Sequence, residues 1–148
     1  MISDTHGLLR DAALTMLEGC ELIIHAGDVG SPAVLEGLQR IAPVIAVRGN
    51  NDHHDWARAL PVTEIIELGA HYIYLLHDLN ELDVDPVAAG FAAVISGHSH
   101  RPCAQMRDSV LYLNPGSAGP RRFKLPVSLA RLTVTPDALT HELIELEL

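Results

Sequence analysis

The stretch Ser96-Gly97-His98-Ser99-His100-Arg101-Pro102 decides how the rest of the chain is read. It follows the apolar run 91–95, which reads as a buried strand, so two imidazoles emerge one residue apart where that strand stops. Neutral imidazole is the commonest side-chain metal ligand, and two on one extended turn can reach two cations or opposite sides of one. Alone, His-x-His is a weak signal, because such a pair also suits a solvated loop. Its weight comes from elsewhere in the chain, where four other apolar runs also end in Asp, Asn or His.

Towards the amino terminus, Met1-Ile2-Ser3 runs straight into Asp4-Thr5-His6-Gly7, which leaves two or three residues for a first strand. Either the natural start lies upstream or Met1, Ile2 and Ser3 pair fully with neighbouring strands, since a frayed end would misplace Asp4. Residues 8–17 carry Leu9, Ala12, Ala13 and Met16 at helical spacing, with Gly19 placed to end the helix. Residues 21–26 form a β-branched run closed by Gly27-Asp28, and Ser31-Pro32 is an N-cap followed by proline at the first helical position of a helix reaching about Arg40. The pattern repeats as 43–47 followed by Arg48-Gly49-Asn50-Asn51-Asp52-His53-His54.

From residue 61 the grammar changes. Runs 62–68 and 71–76 flank Gly69-Ala70 as a hairpin, and the second ends in His77-Asp78. Residues 83–90 suit a short helix with Pro86 in its first turn, 103–106 and 110–113 a second hairpin, and 127–134 and 138–146 the last strands. Early βα units followed by hairpins predict an α/β sandwich in which two sheets pack face to face with helices outside.

Composition narrows the function classes. The 148 residues fit one domain, 1–148, with a core of aliphatic side chains, because 48% are hydrophobic but only 4% aromatic. Ten basic against nineteen acidic residues give a net charge of −9, which argues against binding a nucleic-acid duplex; a phosphate would need a local cation. Cys20 and Cys103 stand in no motif, and no stretch is apolar enough to span a membrane, so a cytoplasmic protein is expected.

Taken together, the strand ends offer Asp4 and His6, Asp28, Asn50, His77, then His98 and His100. Ligands collect beyond the carboxyl ends of strands in α/β sheets, so these seven side chains are expected to converge on one crevice. Ordinary loops would mix in Ser, Lys, Glu and Gln; these ends present only metal-competent oxygen and nitrogen donors.

The set Asp-x-His, Gly-Asp, Gly-Asn-x-Asp, His and Gly-His-Ser-His resembles the calcineurin-like metallophosphoesterases, and Asn114-Pro115-Gly116-Ser117 with Pro120-Arg121 resembles their small single-domain phosphodiesterase branch. The resemblance implies a four-layer α/β/β/α sandwich with two mixed β-sheets. It also implies two divalent metal ions: one on Asp4, His6, Asp28 and His100, the other on Asp28, Asn50, His77 and His98, with Asp28 bridging. Oxygen and imidazole donors without thiolate suit Mn²⁺, and accept Ni²⁺, Fe²⁺, Zn²⁺ or Mg²⁺. The implied reaction is in-line attack of a metal-bridging hydroxide on a small phosphodiester, with Asp28, Asn50, Asp52 and His98 as catalytic residues and Asn51, Arg101 and Asn114 lining the substrate. Arg48 and Arg121 are further candidates for a phosphate contact. A phosphomonoesterase or nucleotide phosphatase shares this chemistry, and the family also contains a retromer-type subunit that keeps the fold as a non-catalytic scaffold. Homo-oligomerisation is compatible with the sequence.

Asn51 departs from many members of that family, in which a His follows the ligand Asn and protonates the leaving group. An amide cannot do this, so that contribution of about 10²- to 10⁴-fold is expected to be missing unless His53 or His54 supplies it. In those members the acid that follows holds the His, and here Asp52 remains and is expected to orient an imidazole placed at position 51. His25, inside a strand, reads either as a contact to a ligand or as a hydrogen-bonded core residue; His71 and His141 receive no role.

Overall fold

The computed structural model describes residues 1–148. Two βα units open the chain: helix α1 (Asp11–Leu17), strand β1 (Ile23–His25), helix α2 (Pro32–Gln39) and strand β2 (Val44–Ala46). The α1 helix starts later than the periodicity suggests because the chain first turns at Gly7 (φ 82°) and enters through an extended Arg10. Ser31 caps α2 by accepting from the Ala33 N–H at 3.2 Å, with Pro32 at its first position, as the sequence indicates.

The second half supplies β3 (Thr63–Leu68), β4 (His71–Leu76), helix α3 (Pro86–Ala89), β5 (Ala93–Ile95), β6 (Cys103–Arg107), β7 (Val110–Asn114), β8 (Ser128–Val134) and β9 (Leu139–Glu145). The β6–β7 turn is Asp108-Ser109, both with positive φ (48° and 68°), the twist that a two-residue hairpin needs. One sheet has the order β3-β4-β5-β7-β6, antiparallel at both edges and parallel in its middle.

In the other sheet, β1 and β2 are parallel, β8 and β9 antiparallel, and the amino terminus joins the two pairs. On one side Ile2 donates to the Ile24 carbonyl and accepts from Ala26, each within 3.0 Å; on the other Met1 and Ala130 exchange hydrogen bonds of 2.6 and 3.0 Å. Ser3 accepts from Ala118, and Asp4 donates to the Gly27 carbonyl. Residues 1–4 are therefore paired on both sides, which fixes Asp4 at the strand end although the strand is so short.

Three apolar clusters define the layers. Ile24, Ala26 and Val47 meet Ile73, Leu75, Ile95 and Leu113 between the sheets. Ala13, Leu17, Val34 and Leu38 of the first two helices cover Ile2, Ile23 and Leu129 on one outer face, while Phe91, Leu79 and Val84 cover Tyr74, Leu76 and Val94 on the other. The result is the expected four-layer α/β/β/α sandwich with two mixed sheets.

His25, fully buried in β1, is a core residue. Its Nδ1 accepts from the Gly27 N–H at 3.2 Å, so Nε2–H donates to Thr5 Oγ1 at 2.9 Å, and the Thr5 hydroxyl donates to the Val29 carbonyl. Burial lowers the His25 pKa from 6.5 to about 4. Below pH 6.5 the unfolded chain takes up a proton there that the native state refuses, so stability is intact above that pH and falls as the pH drops towards 4. Urea titrations near pH 7.5 and 5 are expected to show a pH-dependent loss smaller by about 2 kcal/mol in His25→Gln than in wild type. Equal losses in both would remove His25 as the cause.

Candidate metal centre

The amino-terminal segment and strands β1, β2, β4 and β5 each lead directly into residues that face the crevice, and several of the turns that follow are conformationally demanding. Asp4, His6, Asp28, His98 and His100 all have left-handed backbone, with φ of 53°, 47°, 53°, 66° and 59°. Asp and His tolerate this region better than β-branched residues, and such strain persists only where its surroundings over-determine it. Two glycines permit the close approach. A Cβ at Gly49 would collide with the Asp28 carboxylate, and one at Gly97 with Ser3 Oγ and Asp4 Oδ2.

The side chains form two adjoining sets. In the first, the Nε2 atoms of His6 and His100 lie 3.3 Å apart, with Asp4 Oδ1 3.2 Å from His100 and 3.9 Å from His6. In the second, Asn50 Oδ1 lies 3.0 Å from His77 Nε2 and 3.1 Å from His98 Nδ1. Asp28 Oδ2 stands between them, 3.7 Å from His6 Nε2 and 3.4 Å from His77 Nε2. Asp4, His6 and His100 form one group of converging donors, and Asp4, Asp28 and His77 another, so both carboxylates lie where the sets meet.

The donors fit a cation. Asp4 is fully buried, and while its Oδ2 accepts from Ser3 Oγ (2.6 Å) and the His98 N–H (3.1 Å), its Oδ1 has no hydrogen-bond partner. Leaving a buried carboxylate oxygen unpaired costs several kcal/mol, which a cation would offset. His77 shows the same demand: Nδ1–H donates to the Ala26 carbonyl at 2.7 Å, leaving the Nε2 lone pair facing the oxygens of Asn50 and Asp28. Burial pushes the His77 pKa down, but the Asp28 carboxylate and Ala26 carbonyl outweigh it and hold the ring above its ordinary value. A positive charge is favoured at that position. Burial raises the Asp28 pKa, and the His77 ring, which donates from Nε2 to Asp28 when protonated, together with the bonds from Asn51 more than reverses this, holding it well below the usual carboxylate range. His6 is shifted down, chiefly by burial, against the pull of Asp28 and Asp4.

Three residues sit differently from the sequence expectation. Asp52 does not orient the side chain at position 51. It is buried, and it accepts the backbone N–H groups of Val29, Gly30 and Gly49 at 3.1, 2.9 and 2.9 Å, tying the Asp28 loop to the Asn50 loop. Asn51 grips Asp28 instead, through its backbone N–H (2.8 Å to Oδ1) and its amide (2.7 Å to Oδ2). Asn114 is likewise engaged within the protein. Its amide donates to the Gly97 carbonyl at 2.7 Å and to Ser99 Oγ at 3.1 Å, bracing the His98 turn, and its oxygen accepts from Gly116. Arg101 is exposed and lines the cavity beside His98, and His53 and His54 are exposed outside this network.

Sequence reading missed Asp78, whose Oδ2 lies 3.6 Å from His98 Nε2, while Ser117, which the resemblance places near the crevice, donates its hydroxyl to the Asp4 carbonyl at 2.9 Å. The adjacency of Asp78 to His77 was the available signal; nothing in the sequence points to Ser117's partner 113 residues away.

The calcineurin-like phosphoesterase superfamily domain matches residues 1–137. The chain belongs to that superfamily. A probable metallophosphoesterase of Methanothermobacter thermautotrophicus is 32% identical over 156 aligned positions, covering 97% of this chain and 90% of the relative. A phosphodiesterase of Methanocaldococcus jannaschii is 28% identical, over 78% of this chain and 81% of its own. The crystal structure of Chaetomium thermophilum Vps29 shares the fold, with a TM-score of 0.85 at 22% identity over 99% of this chain and 86% of that one.

The role of Asp52 is open to direct measurement. Asp52→Ala strands three backbone N–H groups and is expected to lower stability by about 3 kcal/mol in urea denaturation, while Asp52→Asn, which keeps an acceptor, is expected to lose less. An unchanged midpoint in Asp52→Ala would show that the loops are held by other contacts.

Proposed function

We propose that this protein hydrolyses small phosphodiesters at two divalent cations, one held by Asp4, His6, Asp28 and His100 and the other by Asp28, Asn50, His77 and His98. The unpartnered, fully buried Asp4 Oδ1 facing two imidazoles is the observation that carries this reading. The phosphodiesterase named among its relatives supports the substrate class. Oxygen and imidazole donors favour Mn²⁺, with Fe²⁺, Ni²⁺, Zn²⁺ or Mg²⁺ also accepted.

When bound, divalent cations supply Lewis acidity towards phosphoryl oxygens and bring the pKa of water down to about 7. The protein's contribution is placement. Asn51 and Asn114 fix Asp28 and the His98 turn, and Asp52 fixes the two loops between them. In the overall reaction, water oxygen bonds to phosphorus, the ester P–O bond breaks, and the leaving oxygen must keep its charge or take a proton. No side chain at position 51 can give that proton, because the Asn51 amide is neutral and already bound to Asp28. Leaving groups that depart as stable anions are therefore favoured.

The test is a series of aryl and alkyl phosphodiesters with Mn²⁺-reconstituted protein. Bis(p-nitrophenyl) phosphate is expected to turn over, dialkyl esters to be at least about 100-fold slower, and Asp28→Asn to lose nearly all activity. Turnover that survives exhaustive chelation would overturn the reading, and no turnover with any ester would favour a non-catalytic scaffold.

A further inference from the structure

A cavity of about 320 Å³ opens beside His98, on the outer face of the five-stranded sheet. It is within the range of about 300–1,000 Å³ typical of small-molecule sites, and only 4 of its 14 lining residues are hydrophobic. One end is the His98 turn and Asp78; the far wall is built by β6 and β7. Cys103, Gln105 and Arg107 alternate along β6 on the cavity face, and Gln105 is paired in register with Tyr112 of β7.

The charges in this wall are unbalanced. Arg101 and Arg107 both line the cavity, and neither forms an ion pair. The one acid in the lining, Asp78, is turned away from them: its Oδ1 accepts from the backbone and amide of Asn80, and its Oδ2 faces His98. Arg107 is also pre-organised. Its guanidinium lies 4.5 Å from the centre of the Tyr112 ring, and its Nε and Nη2 donate to Gln105 Oε1 at 3.2 and 3.1 Å, leaving Nη1 free. Two unpaired guanidinium groups, one already immobilised, in a chain of net charge −9, favour an oxyanion over an apolar group.

We propose that this cavity selects phosphodiesters that carry a second anionic group, a phosphate or a carboxylate, on the ester arm directed towards β6. The inference rests on the phosphodiesterase reading and names the substrate class for it. The scissile phosphate sits over the His-rich crevice, and the second anion is bound by Arg107 and Arg101.

The experiment compares Mn²⁺-reconstituted protein on bis(p-nitrophenyl) phosphate and on the analogue with one aryl group replaced by 4-carboxyphenyl, both releasing p-nitrophenolate. Wild type is expected to prefer the carboxylated ester by about tenfold or more in kcat/KM, and Arg107→Glu to abolish the preference mainly through KM. Arg107→Met, which keeps an unbranched stem of similar reach, is expected to weaken it less, with thermal melting confirming that both variants fold. Equal kcat/KM for the two esters in wild type, or a preference kept in both Arg107→Glu and Arg101→Glu, would overturn the proposal. If neither ester turns over, the hydrolase reading fails on its own. The cavity is then read by calorimetry with 4-carboxyphenyl phosphate: binding weakened about tenfold in Arg107→Glu supports it, and unchanged or absent binding overturns it.

Discussion

The structure depends on one electrostatic constraint: a fully buried Asp4 carboxylate with one oxygen satisfied and the other unpaired, aimed at imidazole nitrogens. A group of this kind is costly in a fold that gains nothing from it. Around it every neighbour is arranged to keep donors pointing inward. Ser117 holds the Asp4 carbonyl, Ala26 holds the far nitrogen of His77, and Asn51 holds Asp28. These contacts set ring orientation and tautomer, and with them which lone pairs meet in the crevice.

The same constraint explains the backbone. Five ligand candidates occupy left-handed conformations just after β1, β5 and the amino-terminal segment, none of which has more than three residues in the ladder. Short strands let the chain leave the sheet early, and the sharp turns swing each side chain over the strand ends. The stability that these turns cost is recovered from the apolar layers below, where Ile24, Ile73, Ile95 and Leu113 close the space between the sheets.

Much of this was legible in the sequence because the signals are local. Apolar runs, each ended by a metal-competent residue, gave the strands, their polarity and the seven convergent side chains. The Ser31-Pro32 cap and the Gly69-Ala70 hairpin form where expected. The misreadings share one cause: the partner of a polar side chain is set by tertiary contact. Asp52 beside a ligand loop looks like a catalytic orienter, yet its oxygens are taken by the N–H groups of Val29, Gly30 and Gly49. Asn114 looks like a lining residue, yet it braces Gly97 and Ser99. Arg107 stands in no sequence motif, because its significance depends on the β6–β7 register that lays it on Tyr112.

Everything proposed for the site follows from two cations sharing the Asp28 carboxylate between the two donor sets, so stoichiometry and coupling are the decisive observables. Metal-free protein titrated with Mn²⁺, followed by calorimetry and electron paramagnetic resonance, measures both at once. The account predicts two ions per chain and an exchange-coupled spectrum that collapses to isolated-ion signals in Asp28→Asn. One ion per chain or none, or two with independent signals that Asp28→Asn leaves unchanged, would contradict it.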